Sequence, residues 1–249
     1  MNKVEVRVLS EYGDPLQHMG FLARLTQRGN KISNMEELVN LLESDPPGPK
    51  TMDEMVKLPH GTIKRFTPIT IAIVGASRRF LAQARTHQVG MHYVSASLQY
   101  SDYSDGYDFF VPYEIYENKV VPAYIQSCKK SMQTYKALAA LVGNDAAGYA
   151  APQGLRNVLI MQGNHQSWDY FIRTRGCNRN TTETQYVTML IWEALLNSQD
   201  GEAMFKYAGA DCVHGSCREG KFCCGRPIIY NNPRKIIDGR WPLLGGEWI

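Results

Sequence analysis

Long apolar runs and long runs of basic residues are both missing from this sequence of 249 residues. A bilayer-spanning helix needs about 20 consecutive apolar residues, so we expect no membrane partner. The formal net charge is only +3, and proteins that follow a nucleic-acid backbone carry clustered Lys and Arg, so we expect no nucleic-acid partner. Residues 1–8 alternate apolar with charged side chains, as a strand does and a signal peptide does not. We therefore expect a soluble, cytoplasmic protein.

Cysteine is also scarce, with six in the chain. Without secretory features, these cysteines suggest reduced thiols or a metal site before they suggest a disulfide framework. Four crowd into the C-terminal region, namely Cys212, Cys217, Cys223 and Cys224. Their spacing is looser than that of a zinc ribbon, and adjacent cysteines do not easily chelate one ion. We predict no metal, favouring reduced structural thiols over zinc or a labile disulfide.

The hydrophobic content of 44% is enough for the core of one large domain or two small ones. We predict one domain over residues 1–249, with a cysteine-rich tail at 208–249. Periodicity predicts strands at residues 1–8, 66–74 and 156–162, and helices at 35–42, 78–87, 122–142, 164–175 and 182–196. Residues 45–49 are predicted to form a loop, and the tyrosine-rich residues 93–116 a long loop or hairpin. This mixture of elements indicates an α/β class.

The predicted helix 78–87 carries a polar face. Ser77 is a suitable N-cap, and Gln83 and His87 are four residues apart, so they would share one face with Arg79 a turn earlier. Such a face, on a helix that follows a strand, could form the wall of a site. A solvated helix face is the alternative.

Residues 77–88 also carry the skeleton of a known signature. Ser77-Arg78, Gln83 and the triplet Thr86-His87-Gln88 follow the order of Ser-Arg, Gln and Arg-His-Arg in flavin-dependent thymidylate synthases. Upstream, His60-x-Thr62 stands where that family has His-x-Ser, before the strand. The sequence therefore resembles the flavin-dependent thymidylate synthases, with His87 kept and both flanking arginines replaced.

The resemblance extends from about residue 58 to 225. Residues 94–100 are similar to the family's Asn-Glu-x-Ser-x-Arg-Tyr, with Ser97 and Tyr100 kept, Ser95 in place of the acid and Gln99 in place of the arginine. Gly148 replaces a further family arginine.

Later segments of the chain match as well. Asn164 and Gln166 match the family's Asn-Ala-Arg, with Gln166 in place of its arginine, and Arg175 matches a substrate arginine. Glu183 matches the acid of the next helix, and residues 208–225 look like the cysteine-bearing tail of some members.

The family resemblance implies a fold and a chemistry. The fold would be α/β (α+β), with a central, mostly antiparallel sheet flanked by helices, in a homotetramer that shares its sites between subunits. The activity would be C5 methylation of a uracil nucleotide, with methylenetetrahydrofolate supplying the carbon, reduced FAD the hydride, and NADPH as a further co-substrate. Classical synthesis through a nucleophilic cysteine is disfavoured, since no cysteine matches a family position for it.

The resemblance also assigns residue roles. Arg175 and Ser97 would be catalytic, with Arg175 stabilising negative charge at the pyrimidine's carbonyl edge. The substrate-binding residues would be Gln83, Ser97, Gln99, Tyr100 and Arg175. The cofactor-binding residues would be His60, Thr62, Thr86, His87, Gln88, Ser95, Asn164, Gln166 and Arg179.

The replaced arginines leave the substrate open. A bidentate guanidinium contact contributes about 1.5 to 3 kcal/mol, so losing two would weaken a monophosphate roughly a hundredfold or more. Either the pocket takes a nucleoside or another pyrimidine, or other basic residues bind the phosphate: Lys64, Arg65, Arg79, Arg85 or Arg179. Arg65 is notable because it stands where the family has an acid. A paralogue that keeps the fold and serves as a binding or partner subunit is the alternative.

Overall fold

The computed structural model describes residues 3–58 and 61–242, and a four-stranded antiparallel sheet forms its centre. The strands are β1 (Glu5–Glu11), β2 (Pro68–Ser77), β3 (Met91–Ser95) and β4 (Arg156–Asn164), in the order β1-β2-β4-β3. Every neighbouring pair is antiparallel. The predicted antiparallel sheet flanked by helices is therefore confirmed.

The long strand β2 packs its alternate residues into the core. Ile69, Ile71 and Ile73 are buried, as β-branched residues on the inner face of a sheet should be. The sequence prediction placed the strand two residues too early, because Phe66 belongs to a 3-10 turn at Ile63–Phe66. It also ended the strand too soon, since β2 continues past a bulge at Gly75 (φ +90°) to Ser77.

The helices cover both halves of the chain, in agreement with the predicted α/β class. They are α1 (Pro15–Arg28), α2 (Met35–Glu43), α3 (Pro49–Lys57), α4 (Arg78–Arg85), α5 (Tyr113–Glu117), α6 (Val121–Val142), α7 (Asn144–Ala147), α8 (His165–Arg175), α9 (Thr182–Leu196), α10 (Gly201–Phe205), α11 (Asp211–His214) and α12 (Pro233–Arg240). Helices α2, α6, α8 and α9 match their predicted positions. Helix α1 was not predicted, and the predicted loop 45–49 ends where Pro49 starts α3.

The tyrosine-rich segment 93–116 differs from its prediction. Its first residues complete strand β3, and its last residues begin α5. The intervening residues 96–112 are irregular and include an isolated bridge between Phe109 and Leu155.

The main core lies between the sheet and α8 and α9. Trp168 and Trp192 are fully buried there, and nine residues of α9 are buried, so this helix is enclosed on several sides. The C-terminal region joins the same core through Ile228, Ile236 and Ile237. A second cluster packs α6 against Phe109 and Leu155. Within the part of the chain that the structure describes, no helix is both long and apolar enough to cross a membrane.

Candidate functional site

His87 lies in a buried corner beside α8. Helix α4 ends at Arg85 and Thr86 caps it, so His87 does not share a helix face with Gln83 and that prediction is wrong. The chain leaves the helix here because strand β3 begins only a few residues later, at Met91. The imidazole instead packs on Tyr170 and Phe171, with ring centroids 4.8 Å and 5.2 Å away, and His87 is only 5% exposed.

Arg175, at the end of α8, reaches the same corner. Its Nη2 donates to Thr86 Oγ1 at 2.6 Å, and its Nη1 donates to Asn180 Oδ1 at 3.5 Å. Tyr93 Oη donates to the backbone carbonyl of His87 and fixes the loop from the sheet side. The structure thus brings together three predicted residues, Arg175, Thr86 and His87.

Burial sets the charges in this corner. Desolvation, and then the positive charge of Arg175, lower the pKa of His87 to about 4. Desolvation raises the pKa of Tyr93 to about 12, partly opposed by Arg175. At neutral pH, His87 and Tyr93 are therefore neutral beside a guanidinium cation. His87 Nε2 and Arg175 Nε are buried without a hydrogen-bond partner in the described structure.

Such orphaned polar atoms are uncommon in folded proteins, and a bound group would satisfy them. A fixed guanidinium next to a neutral imidazole can hold an anionic or carbonyl oxygen and donate a hydrogen bond to it. The corner is thus suited to a polar, planar ligand.

Asn164 lies next to this corner, at the start of α8. Its Oδ1 accepts hydrogen bonds from Ser167 N and Oγ, which caps the helix. A Cβ added at Gly90 would lie 3.9 Å from Asn164 Nδ2 and 2.3 Å from Ser167 Oγ. The loop between His87 and β3 therefore runs against the N-terminus of α8, and Asn164 borders the same corner.

Gln166, the second residue of α8, faces a different neighbour. Its Oε1 accepts a hydrogen bond from Arg65 Nε at 2.7 Å. A Cβ at Gly61 would clash with the Gln166 amide, so Gly61 and Thr62 lie close to it. Gly61 and Gln166 line a cleft of about 780 Å³ between α8 and the C-terminal region. His60 lies outside the described residues.

The buried His165 also lines this cleft. Its Nε2 hydrogen-bonds the Met204 carbonyl, and its Nδ1 is buried without a partner in the described chain. Desolvation, and then Lys64, lower the pKa of His165 to about 3, so the ring is neutral. Desolvation raises the pKa of Asp169 in the same wall.

The predicted nucleotide residues Ser97, Gln99 and Tyr100, together with the predicted cofactor residue Ser95, form a second group at the far end of β3. Ser95 Oγ accepts a hydrogen bond from Arg85 Nη2 at 2.8 Å, and Ser97 Oγ accepts one from Gln99 N. Tyr100 is 84% exposed. A Cβ at Gly148 would lie 3.2 Å from the Leu98 side chain, so this segment contacts residues 144–152. Ser97 and its neighbours thus form one surface group.

The two groups lie toward opposite ends of β3, and Arg85, next to Thr86 in sequence, joins them through its hydrogen bond to Ser95. Strand β3 has five residues and rises about 3.4 Å per residue, so its ends lie about 14 Å apart. Met91 at one end pairs with Gly163 beside the His87 corner, and Ser95 at the other pairs with Leu159. Gln83, on α4, lies one turn before Thr86, and Gln88 is exposed beyond His87. Among the described residues, the hydrogen bonds of Arg175 go to Thr86 and Asn180 and that of Ser97 comes from Gln99.

Two other basic residues are held by the protein itself. The Lys64 ammonium is buried and donates to the carbonyls of Val56 and Leu58, so the protein already uses two of its three donors. Arg179 donates to the Phe222 carbonyl at 2.9 Å and pairs with Glu219 at 3.5 Å, at the tail and not in the His87 corner.

Tyr93 and Tyr170 hold His87 in place, and neither was among the site residues predicted from the sequence. Tyr93 falls in the tyrosine-rich segment, where nothing distinguished it from the other tyrosines. Tyr170 is five residues before Arg175 on α8, but its contact with His87 depends on how the α4–β3 loop packs.

All six cysteines are unpaired. In the described ranges, no three His, Cys, Asp or Glu side chains gather in a way that could hold a metal ion.

Solved structures define the class of this fold. Thymidylate synthase X from Helicobacter pylori, solved with FAD and dUMP, is similar with a TM-score of 0.60 at 16% identity, over 81% of this chain and 97% of that chain. The UMP/dUMP methylase PolB from Streptomyces cacaoi, bound with 5-Br dUMP, is similar with a TM-score of 0.65 at 13% identity, over 84% and 97%. The fold is that of the flavin-dependent thymidylate synthases.

Sequence comparison identifies the family. The model of the Thy1 family, the thymidylate synthase complementing proteins, matches residues 7–198. Flavin-dependent thymidylate synthases from Clostridium tetani and Geobacter sulfurreducens are 22% and 25% identical, each over 90% of this chain and 94% of the relative. The chain belongs to the Thy1 family, and the family resemblance predicted from its motifs is confirmed.

Proposed function

We propose that this protein methylates C5 of a uracil nucleotide, using methylenetetrahydrofolate as carbon donor and reduced FAD as hydride donor, with NADPH as a co-substrate. The observation that carries the proposal is the contact between Arg175 and the Thr86-His87 pair. Residues far apart in sequence meet there with unsatisfied polar atoms and a fixed positive charge. H. pylori thymidylate synthase X and PolB were solved with dUMP and 5-Br dUMP, which supports a uracil nucleotide as substrate.

Residues at the two ends of α8 and on β3 offer polar atoms to a flavin. His87 Nε2, Arg175 Nε and His165 Nδ1 are buried atoms that lack partners in the described structure. We propose that His87, Asn164, Gln166, Thr86, Gln88, Thr62, Ser95 and His60 hold the FAD. The flavin would supply the hydride once it is reduced. Tyr93 and Tyr170 keep His87 in position and keep bulk water from its ring.

Arg65 offers a replacement for one lost arginine. The family has an acid where this chain has Arg65 and an arginine where it has Gln166, and the two side chains are hydrogen-bonded here. A guanidinium group therefore lies at this place in the fold, but it belongs to Arg65 and not to residue 166. We propose that Arg65 takes over the anion contact that Gln166 does not make. Arg179 could bind the cofactor only if its contacts with Phe222 and Glu219 in the tail were broken.

Ser97 and Arg175 have different hydrogen-bond partners within one chain, which supports a shared site. We propose a homotetramer in which Ser97, Gln99, Tyr100 and Gln83 of one subunit bind the nucleotide beside Arg175 of another. Arg175 then stabilises negative charge at the pyrimidine's carbonyl edge while C5 is activated, and Ser97 orients the ring. Holding the reactants in register in this way can remove much of the entropic barrier.

The experiment is a flavin titration with a panel of uracil ligands. Purified protein should bind FAD and appear yellow, and uracil nucleotides or nucleosides should shift the flavin spectrum. Mixing an Arg175→Ala protein with a Ser97→Ala protein, under conditions that exchange subunits, should restore part of the response that each variant lacks. A colourless protein that takes up no added flavin would contradict the proposal. A response that no mixture restores would contradict the shared site alone.

A binding or partner subunit without synthase activity is the second candidate. Because the family arginine is Gly148 here, no guanidinium extends from this position toward Ser97. The Leu98 side chain occupies the space that the arginine's Cβ would need. This candidate predicts assembly with the family fold and no flavin uptake, so the same titration distinguishes the two.

A further inference from the structure

Thiols gather around a single cleft at the C-terminal region. Five of the six cysteines line this cleft of about 760 Å³: Cys177, Cys212, Cys217, Cys223 and Cys224. Four of them lie beyond residue 198, where the match to the Thy1 family ends. Most residues that line the cleft therefore lie beyond the part of the chain that the family model matches.

Cys217 and Cys223 lie at the two ends of a tight turn. Phe222 N donates to the Glu219 carbonyl at 2.9 Å and Cys223 N to the Gly220 carbonyl at 3.0 Å. Gly220 has a φ of +52°, a left-handed conformation that favours glycine. The turn folds the chain back so that Cys217 and Cys223, on either side of it, both line the same cleft.

The other thiols have different partners. Cys224 Sγ donates to the Arg226 carbonyl at 3.7 Å, and Cys212 Sγ accepts from Ile228 N at 3.4 Å. A structural zinc ion needs about four ligands arranged around it. No such arrangement of three or more ligand side chains occurs in the residues that the structure describes. The arrangement therefore favours chemistry between two thiols.

The turn is also fixed and accessible. Arg179 holds it through the Phe222 carbonyl and Glu219. Cys223 is exposed and Cys217 is partly exposed, so a small molecule can reach both. Two thiols that line one cleft on either side of a fixed turn, and that are open to solvent, are placed to meet across it.

The geometry points to Cys217 and Cys223 as a reversible dithiol site that reacts with low-molecular-weight disulfides of the glutathione class. The exposed Cys223 loses its proton to solvent, and its thiolate attacks one sulfur of the disulfide, releasing one glutathione thiolate. The Cys217 thiolate then attacks the Cys223 sulfur of the mixed disulfide and releases the second glutathione. The protein dithiol is oxidised and the glutathione disulfide is reduced to two thiols. This inference does not depend on the proposed function.

The test uses the full-length, reduced protein in buffers of increasing ratio of oxidised to reduced glutathione. After acid quenching and alkylation, trypsin yields residues 207–218, with Cys212 and Cys217, and residues 222–234, with Cys223 and Cys224. We expect a disulfide link between these peptides that grows with the ratio and disappears on reduction. The link should persist in Cys212→Ser and Cys224→Ser and be absent in Cys217→Ser and Cys223→Ser.

Three results would overturn the inference. The folded wild-type protein could show no link at any ratio, or the link could survive in Cys223→Ser through Cys224. Stoichiometric zinc in the reduced protein that blocks alkylation of Cys217 and Cys223 would instead show a metal site. Because the four single variants differ only by one sulfur each, their circular dichroism and elution volume identify any that fail to fold.

Discussion

The buried, neutral His87 makes acid stability a direct probe of the proposed flavin corner. The pKa of this imidazole is lowered to about 4 in the folded protein by desolvation and by Arg175, against about 6.5 in an unfolded chain. The unfolded state therefore binds a proton first as the pH falls, so folding loses stability between pH 6.5 and 4. Above pH 6.5 this linkage has no effect.

The size of the effect follows from the two pKa values. Between pH 7.5 and 5, the His87 linkage removes about 2 kcal/mol from the free energy of unfolding. Replacing His87 by Gln abolishes this part of the loss, although it also changes stability at every pH by altering the packing. The quantity to compare is thus the difference between the two pH values, not stability at either one.

Urea unfolding at pH 7.5 and pH 5 measures this difference. His87→Gln should lose about 2 kcal/mol less than the wild type on acidification. The exposed His92, on β3, provides a control in His92→Gln, which should behave as the wild type does. If His87→Gln loses as much stability as the wild type, His87 is not buried beside Arg175 and the corner is wrongly described.

Three further predictions concern the flavin contacts and the strand that leads to them. Arg65→Met should weaken FAD binding about tenfold, since a charge-assisted contact at an exposed site is lost, whereas the exposed Arg7→Met should leave the fluorescence titration unchanged. Gly90→Ala should weaken FAD binding by a similar factor or more, because its φ is +65° and its Cβ would press on Ser167; Gly106→Ala, with open space around it, should not. Ser77→Ala should lower the free energy of unfolding by about 1 to 3 kcal/mol in urea, since Ser77 caps α4 and hydrogen-bonds the partly buried Glu183. Ser10→Ala, at an exposed position of β1, should change it by less than about 0.5 kcal/mol.

Local patterns predicted much of the fold. Helices α6, α8 and α9 were found because apolar periodicity, a cap or a terminating glycine mark their limits, as Gly143 does for α6. The end of α4 was missed because Thr86 and His87 continue the helical spacing, and only the start of β3 and the packing of His87 on Tyr170 stop it. Helix α1 was missed as well.

The site was predictable only in part. Family motifs identified Arg175, His87 and Asn164, and the structure places all three around the start and end of α8. The contact between Arg65 and Gln166 joins residues 101 positions apart, so no local pattern could reveal it. The position of Ser95 opposite Leu159 likewise follows from the pairing of β3 with β4, which sequence spacing does not determine.

Transfer of a methyl group tests the central claim most directly. The protein is incubated with FAD, NADPH, methylenetetrahydrofolate and a uracil nucleotide, and the pyrimidine is analysed by mass spectrometry. We expect a product heavier by one methyl group in place of one hydrogen, formed by the wild type and not by Arg175→Lys, which keeps the charge but not the planar guanidinium. An unchanged nucleotide from flavin-loaded wild-type protein, or equal product from Arg175→Lys, would contradict the account.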